Sequence, residues 1–107
     1  MATDVVVVLC TLPPGDAASS IARTLVGEKL AACVNLLPQV RSFYEWEGKI
    51  ADEPEQLAII KTTSDGFAAL RARLVALHPY NLPEVIALPV CDGHLPYLGW
   101  VRESVHR

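Results

Sequence analysis

Nothing in this sequence is both long and apolar enough to cross a bilayer, which takes about 20 residues. The apolar run that opens at Val5 is broken by Pro13 and Pro14, and Met1-Ala2-Thr3-Asp4 before it has no basic flank. Neither a membrane segment nor a secretory leader is expected. Basic charge is also scarce: nine Lys and Arg stand against twelve Asp and Glu, a net charge of −3, and no block of like charges forms a tail. Such a surface lacks the basic stripe that nucleic acid or anionic lipid requires, so neither is expected as a partner. Cysteine is sparse and unpaired in pattern. Cys10, Cys33 and Cys91 are odd in number, far apart and without a C-x-x-C spacing, which points to reduced thiols and a cytoplasmic location. The chain also has no H-E-x-x-H, P-loop, G-x-G-x-x-G or G-x-S-x-G, so no reaction is spelled out and an enzyme is not expected.

What is abundant is hydrophobicity, 51% of 107 residues. Val5 to Leu12 predicts a strand, because β-branched and apolar residues follow one another without polar alternation. After Pro13-Pro14-Gly15, Asp16 is placed to cap a helix running to about Cys33, with Ala18, Ile21, Ala22, Leu25 and Ala32 on one stripe. Lys29 falls within that stripe and should snorkel or pair, with Glu84 as one partner. From Val34 to Glu47 the period changes to two, with Val34, Leu36, Val40, Tyr44 and Trp46 on one face. Gly48-Lys49 turns the chain, which returns through Gln56 to Thr63. A strand of this length is about 45 Å long. It must protrude, bend at Pro38 or pair with another chain.

Ser64 or Asp65 should cap a second helix, in which Phe67, Leu70, Leu74 and Leu77 form the apolar stripe and Pro79 ends the helix after His78. Glu84 to Cys91 predicts a fourth strand. Pro96 can start a short terminal helix burying Leu98, Val101 and Val105, with Trp100 beside them. The order is β-α-β-β-α-β plus a C-terminal helix: an α+β, ferredoxin-like fold in one domain over 1–107, with an antiparallel sheet and both main helices on one face. The strands around Val6, Ile59 and Val85 are apolar on both parities, as in a sheet covered on both sides. Two helices cover only one side, so self-association is predicted.

Several blocks resemble one family: Leu30-Ala31-Ala32-Cys33-Val34-Asn35, Ser42 to Ile50 (SFYEWEGKI), Ile60-Lys61-Thr62, His78-Pro79-Tyr80-Asn81-Leu82-Pro83-Glu84, and Tyr97-Leu98-Gly99-Trp100. In order and over nearly the full length, they are similar to the CutA divalent-cation-tolerance family. The resemblance implies a homotrimer of ferredoxin-like subunits, with the long hairpin contributing to contacts between subunits. It also implies an architecture similar to PII-type signalling proteins and a role in tolerance of divalent metals, copper in particular. The metal residues it implies map to Cys10 and His78, a thiolate and an imidazole that suit copper or zinc. Some relatives have a second histidine at the position of Leu77, so a third ligand must come from elsewhere, such as across a subunit interface.

Each of these residues also has a plain structural reading. Cys10 in an apolar strand is a small packed side chain, and His78 in the last turn of a helix favours the C-terminal dipole. Cys33 and Cys91 read as core, while His94 and His106 read as exposed and open to adventitious metal. Tyr44 and Trp46 read as packing residues or interface anchors. Lys61 should pair with a carboxylate such as Glu45 or Glu47, or line a cleft, and Glu84 should make a structural ion pair. Alternatively Tyr80, Glu84, Lys61 and Trp46 would together form a polar pocket with an aromatic wall. That favours a second reading, a PII-like trimer binding a small ligand or partner in clefts between subunits.

Overall fold

The computed structural model describes residues 3–105. Strand β1 covers Val5–Leu12, helix α1 Ala17–Gly27, β2 Cys33–Trp46, β3 Lys49–Thr63, α2 Phe67–Leu77, β4 Ile86–Pro89 and α3 Leu95–Ser104. The four strands form one sheet in the order β2-β3-β1-β4, every pair antiparallel. This is the ferredoxin-like topology expected, an α+β fold.

Alternation along β1 divides the molecule. Val6, Val8, Cys10 and Leu12 point to α1 and α2 and build the main core with Ile21, Leu25, Ala58, Ile60, Leu70 and Leu74. Val5, on the other parity, joins a smaller core with Ala32, Leu98, Val101 and Val105. Helix α3 therefore covers one end of the second face. Trp100, expected beside them, is 46% exposed and is not part of this core.

Helix α1 ends at Gly27 rather than near Cys33. Lys29 takes a left-handed conformation at φ 60°. Its N–H bonds Val26 O, and the Leu30 N–H reaches back to Leu25 O, a Schellman closure. The usual glycine is replaced there by Lys29, so nothing in the sequence marked the stop. Lys29 is exposed beyond the helix, and none of the ion pairs among the described residues joins it to Glu84. Asp16 occupies the N-cap position without a side-chain cap bond. At the second helix the cap position falls to Gly66, whose N–H donates to Thr63 Oγ1, rather than to Ser64 or Asp65. A Cβ at Gly66 would meet Thr63 Oγ1 and Val105 Cγ1 at 2.9 Å, so the position has no room for a side chain.

The hairpin is longer and less regular than the periodicity predicts. Strand β3 begins at Lys49, seven residues before Gln56, and pairs with β2 up to the Trp46↔Lys49 rung. Glu47 and Gly48, both at positive φ, make the two-residue turn that matches strand twist. A register shift falls between Leu37 and Val40, where Pro38 and Gln39 stand in the bulge. One extra residue reverses side-chain parity. Val40, Tyr44 and Trp46 consequently share the face of Leu37 and Leu57, opposite Val34 and Leu36. The hairpin sets the long dimension of a chain measuring 44 × 28 × 22 Å.

Strand β4 is only four residues long, against the eight expected from Glu84 to Cys91. It pairs Ile86–Pro89 with Val6–Leu9; Pro89 has no N–H to give the ladder, and beyond it Val90 still donates to Val5 O and accepts the Thr3 N–H. Cys91 is exposed and Cys33 half-buried, so neither is a core residue.

Candidate functional site

His78 ends α2. Its N–H still bonds Leu74 O, but its ψ of 136° is extended, as a residue before proline prefers. The imidazole thereby swings under the end of β1. Nε2 lies 2.8 Å from Thr11 O, and since a carbonyl can only accept, Nε2 carries the hydrogen. Nδ1 accepts the Tyr80 N–H at 3.1 Å. The ring is thus the neutral Nε2–H tautomer with both nitrogens engaged, only 7% exposed, and it leans on the Tyr80 ring at 4.8 Å between centroids.

Cys10 comes to the same point from the strand. Its thiol donates to Thr11 O at 3.6 Å and is sealed from solvent. Burial, reinforced by the negative charges of Glu84 and Glu55, pushes its pKa up to about 12. The fold therefore brings Cys10 and His78 together, but as two donors to one carbonyl. A metal needs a thiolate and a free imidazole lone pair, and this arrangement offers neither. Among the described residues no group of three or more His, Cys, Asp or Glu is placed to hold an ion. As arranged, the pair does not fit a bound metal. His94 sits exposed at the start of α3, and His106 lies outside the described residues.

Beside this corner opens a cavity of about 990 Å³. Its wall includes Tyr44 and Trp46 from β2, Glu53 and Glu55 from β3, and Tyr80 and Glu84 from the connection after α2. The parity switch at Pro38–Gln39 explains why Tyr44 and Trp46 face it. Glu55 is 7% exposed, and its Oε2 accepts the Tyr80 hydroxyl at 2.9 Å. Burial, then the bond to Glu55, raises the Tyr80 phenol above its ordinary value, with Glu53 adding to the effect.

Three of the four residues expected to share a pocket, Trp46, Tyr80 and Glu84, do line it. Lys61 does not. It stands on the open sheet face opposite Val7 and Cys33 and bonds Asn35 Oδ1, not Glu45 or Glu47. Glu84 makes none of the ion pairs found among the described residues. Sequence reasoning missed Glu53 and Glu55, because β3 was started at Gln56. Continuing its period of two outward would have placed both on the face of Leu57.

A single antiparallel ferredoxin-like sheet with a protruding hairpin and a closed thiol–imidazole corner defines the class. The profile of the CutA1 divalent ion tolerance protein family matches residues 6–104. The chain is 47% identical over 98 residues to the divalent-cation tolerance protein CutA of Thermus thermophilus, covering 92% of this chain and 95% of that one. It is 52% identical over 93 residues to human protein CutA, covering 87% of this chain but 52% of the human protein's length. The crystal structure of CutA1 from Oryza sativa superposes with a TM-score of 0.95 at 42% identity, covering 99% of this chain and 97% of that one. The chain belongs to the CutA1 divalent ion tolerance family.

Proposed function

We propose that this chain serves divalent-cation tolerance as a homotrimeric binding protein, and not as an enzyme. The tolerance role is the one its relatives' names carry. The observation supporting assembly is the sheet face away from α1 and α2. There Val7 and Leu9 pair across to Leu88 and Ile86, each of the latter 48% exposed, and Leu37, Leu57 and Ile59 continue the apolar surface. Leaving it in water costs about 25 cal/mol per Å², which packing against further copies recovers. Light scattering on the purified protein should give about three times 11.6 kDa. A monomer at micromolar concentration overturns the proposal.

Against catalysis stands the state of Cys10, protonated and sealed where a nucleophile must be ionised and reachable. The three free thiols support a cytoplasmic setting. Copper, or another metal ion, would be held at Cys10 and His78 only in an opened form, with the imidazole turned off Thr11 O and the thiol ionised. Copper titration of wild type, Cys10→Ala and His78→Ala tests that form. Equal affinity in all three removes the pair from any metal site.

A second reading, a PII-like protein taking a small ligand in its clefts, is favoured by the cavity between the hairpin and the His78–Glu84 connection. Its size is that of a small-molecule site, and aromatic and polar groups converge in it.

A further inference from the structure

Covering the open sheet face would bury a charge. Lys61 stands on that face, half-buried, between Val7 on β1 and Cys33 on β2, with Ile59 next to it on the same side of β3. Its ammonium bonds Asn35 Oδ1, and none of the ion pairs among the described residues includes it. A neutral amide oxygen accepts a hydrogen bond but does not neutralise a charge. An ammonium taken out of water is strongly unfavourable unless a carboxylate accompanies it. Whatever packs on this face must therefore bring an anion.

The carboxylates that this side of the chain holds are out of reach of its own Lys61. Glu55 lies six residues along β3 from it, about 20 Å away. Glu84 is four residues ahead of Leu88, which stands across Val7 from Lys61, roughly 16 Å away in all. They gather instead in the groove between the hairpin and the connection after α2. Glu53, Glu55 and Glu84 line it, and among the described residues no lysine, arginine or histidine does. Glu55 is held by the Tyr80 hydroxyl, while Glu53 and Glu84 are exposed. Behind burial, carboxylate charge from this wall contributes to the upward shifts of both Cys10 and Tyr80, so the field there is negative. One face thus carries a cation without an anion and, well apart from it, an acidic groove without a cation.

Two unlike patches are what a closed ring of identical subunits requires, because each of its contacts joins different parts of the two copies. We propose that Lys61 of each copy places its ammonium in the acidic groove of the next, so that the groove is a site completed by a second copy. The inference rests on the homotrimer reading and adds the ion pair that fixes how the copies dock. Opposite charges meet in this register only, and registers that set groove against groove are penalised by like charge.

A water-soluble carbodiimide joins an amine to a carboxylate only where the two touch, so it tests the pair in the wild-type protein. Mass spectrometry of the covalently linked oligomer should find Lys61 joined to Glu53, Glu55 or Glu84, in species of two or three chains. Lys61→Met keeps the apolar stem and removes the charge. Followed by light scattering, it should raise the concentration needed for assembly about a hundredfold, as loss of one partner of a buried pair does. Its circular dichroism should stay that of wild type, and the crosslink stands as a test whether or not the variant folds. If wild type assembles with Lys61 joined to none of the three carboxylates, the ion pair falls and the homotrimer reading stands. The same follows if Lys61→Met assembles as well as wild type or better, since removing a merely buried charge favours packing. If wild type is a monomer at micromolar concentration, both fall.

Discussion

The two faces of the sheet are cut from the same strands and built from similar residues, yet they have opposite fates. Val8, Cys10 and Ile60 are sealed under α1 and α2, while their neighbours Val7, Leu9 and Ile59 on the other parity stay half-exposed. The residue types do not differ enough to explain this. What differs is cover: two full helices on one side, and on the other α3, which reaches only the end near Val5. The covered face holds the chain together. The open face and the cavity beside it stay uncovered within the chain. Even the pair singled out for metal follows this division, since Cys10 lies on the covered side and His78 closes onto its carbonyl neighbour.

The comparison predicts where substitutions should act. Leu74→Ala, deep under the helices, should cost about 2–5 kcal/mol in urea unfolding and leave assembly unchanged in the folded protein. A loss below about 1 kcal/mol would mean that the covered face is not sealed.

The next effect is alkaline. The folded Cys10 thiol is raised to about 12 from an ordinary 9.0, so the folded state binds this proton more tightly than the unfolded chain. Its contribution to stability is complete below about pH 9 and is lost as pH rises toward about 12. Across that window wild type should lose roughly 4 kcal/mol more than Cys10→Ala. Parallel stability curves would show that the thiol is not buried as described.

On the open face a charge should barely alter folding. Leu88→Glu is expected to move the urea midpoint least of the three and to abolish self-association, giving a mass near 11.6 kDa. A variant that assembles normally would shift the contact to another surface.

Much of this division was legible in the residues. β1 was readable to the residue, because a valine run has one sensible conformation and Pro13 ends it. In α2 the spacing of Leu70 and Leu74 marked the buried stripe, and the double-parity hydrophobicity of the central strands announced a second face in need of cover. Other features were hidden for identifiable reasons. Lys29 closes α1 in a conformation that sequence assigns to glycine. The bulge at Pro38–Gln39 inserts one residue and reverses the face of everything beyond it, so Tyr44 and Trp46 went to the wrong side. Lys61 belongs to the pocket by residue type alone, but the folded chain bonds it to Asn35.

The His78–Glu84 connection shows the same boundary in seven residues. Local sequence determined that a helix stops there, because a residue before proline is held extended, and it determined which side chains are available. The strand alternation likewise determined that Cys10 lies inside. Whether His78 offers a lone pair was decided only by Thr11 O and the Tyr80 N–H, which arrive from elsewhere in space or by a local turn. The acidic lining of the cavity was decided in the same way, by register setting Glu53 opposite Ser42 and Glu55 opposite Val40, on the face of Tyr44, and leaving Lys61 out. Conformational preference is a property of neighbouring residues, whereas lone pairs and fields depend on everything within a few ångströms, and only the folded chain sets that.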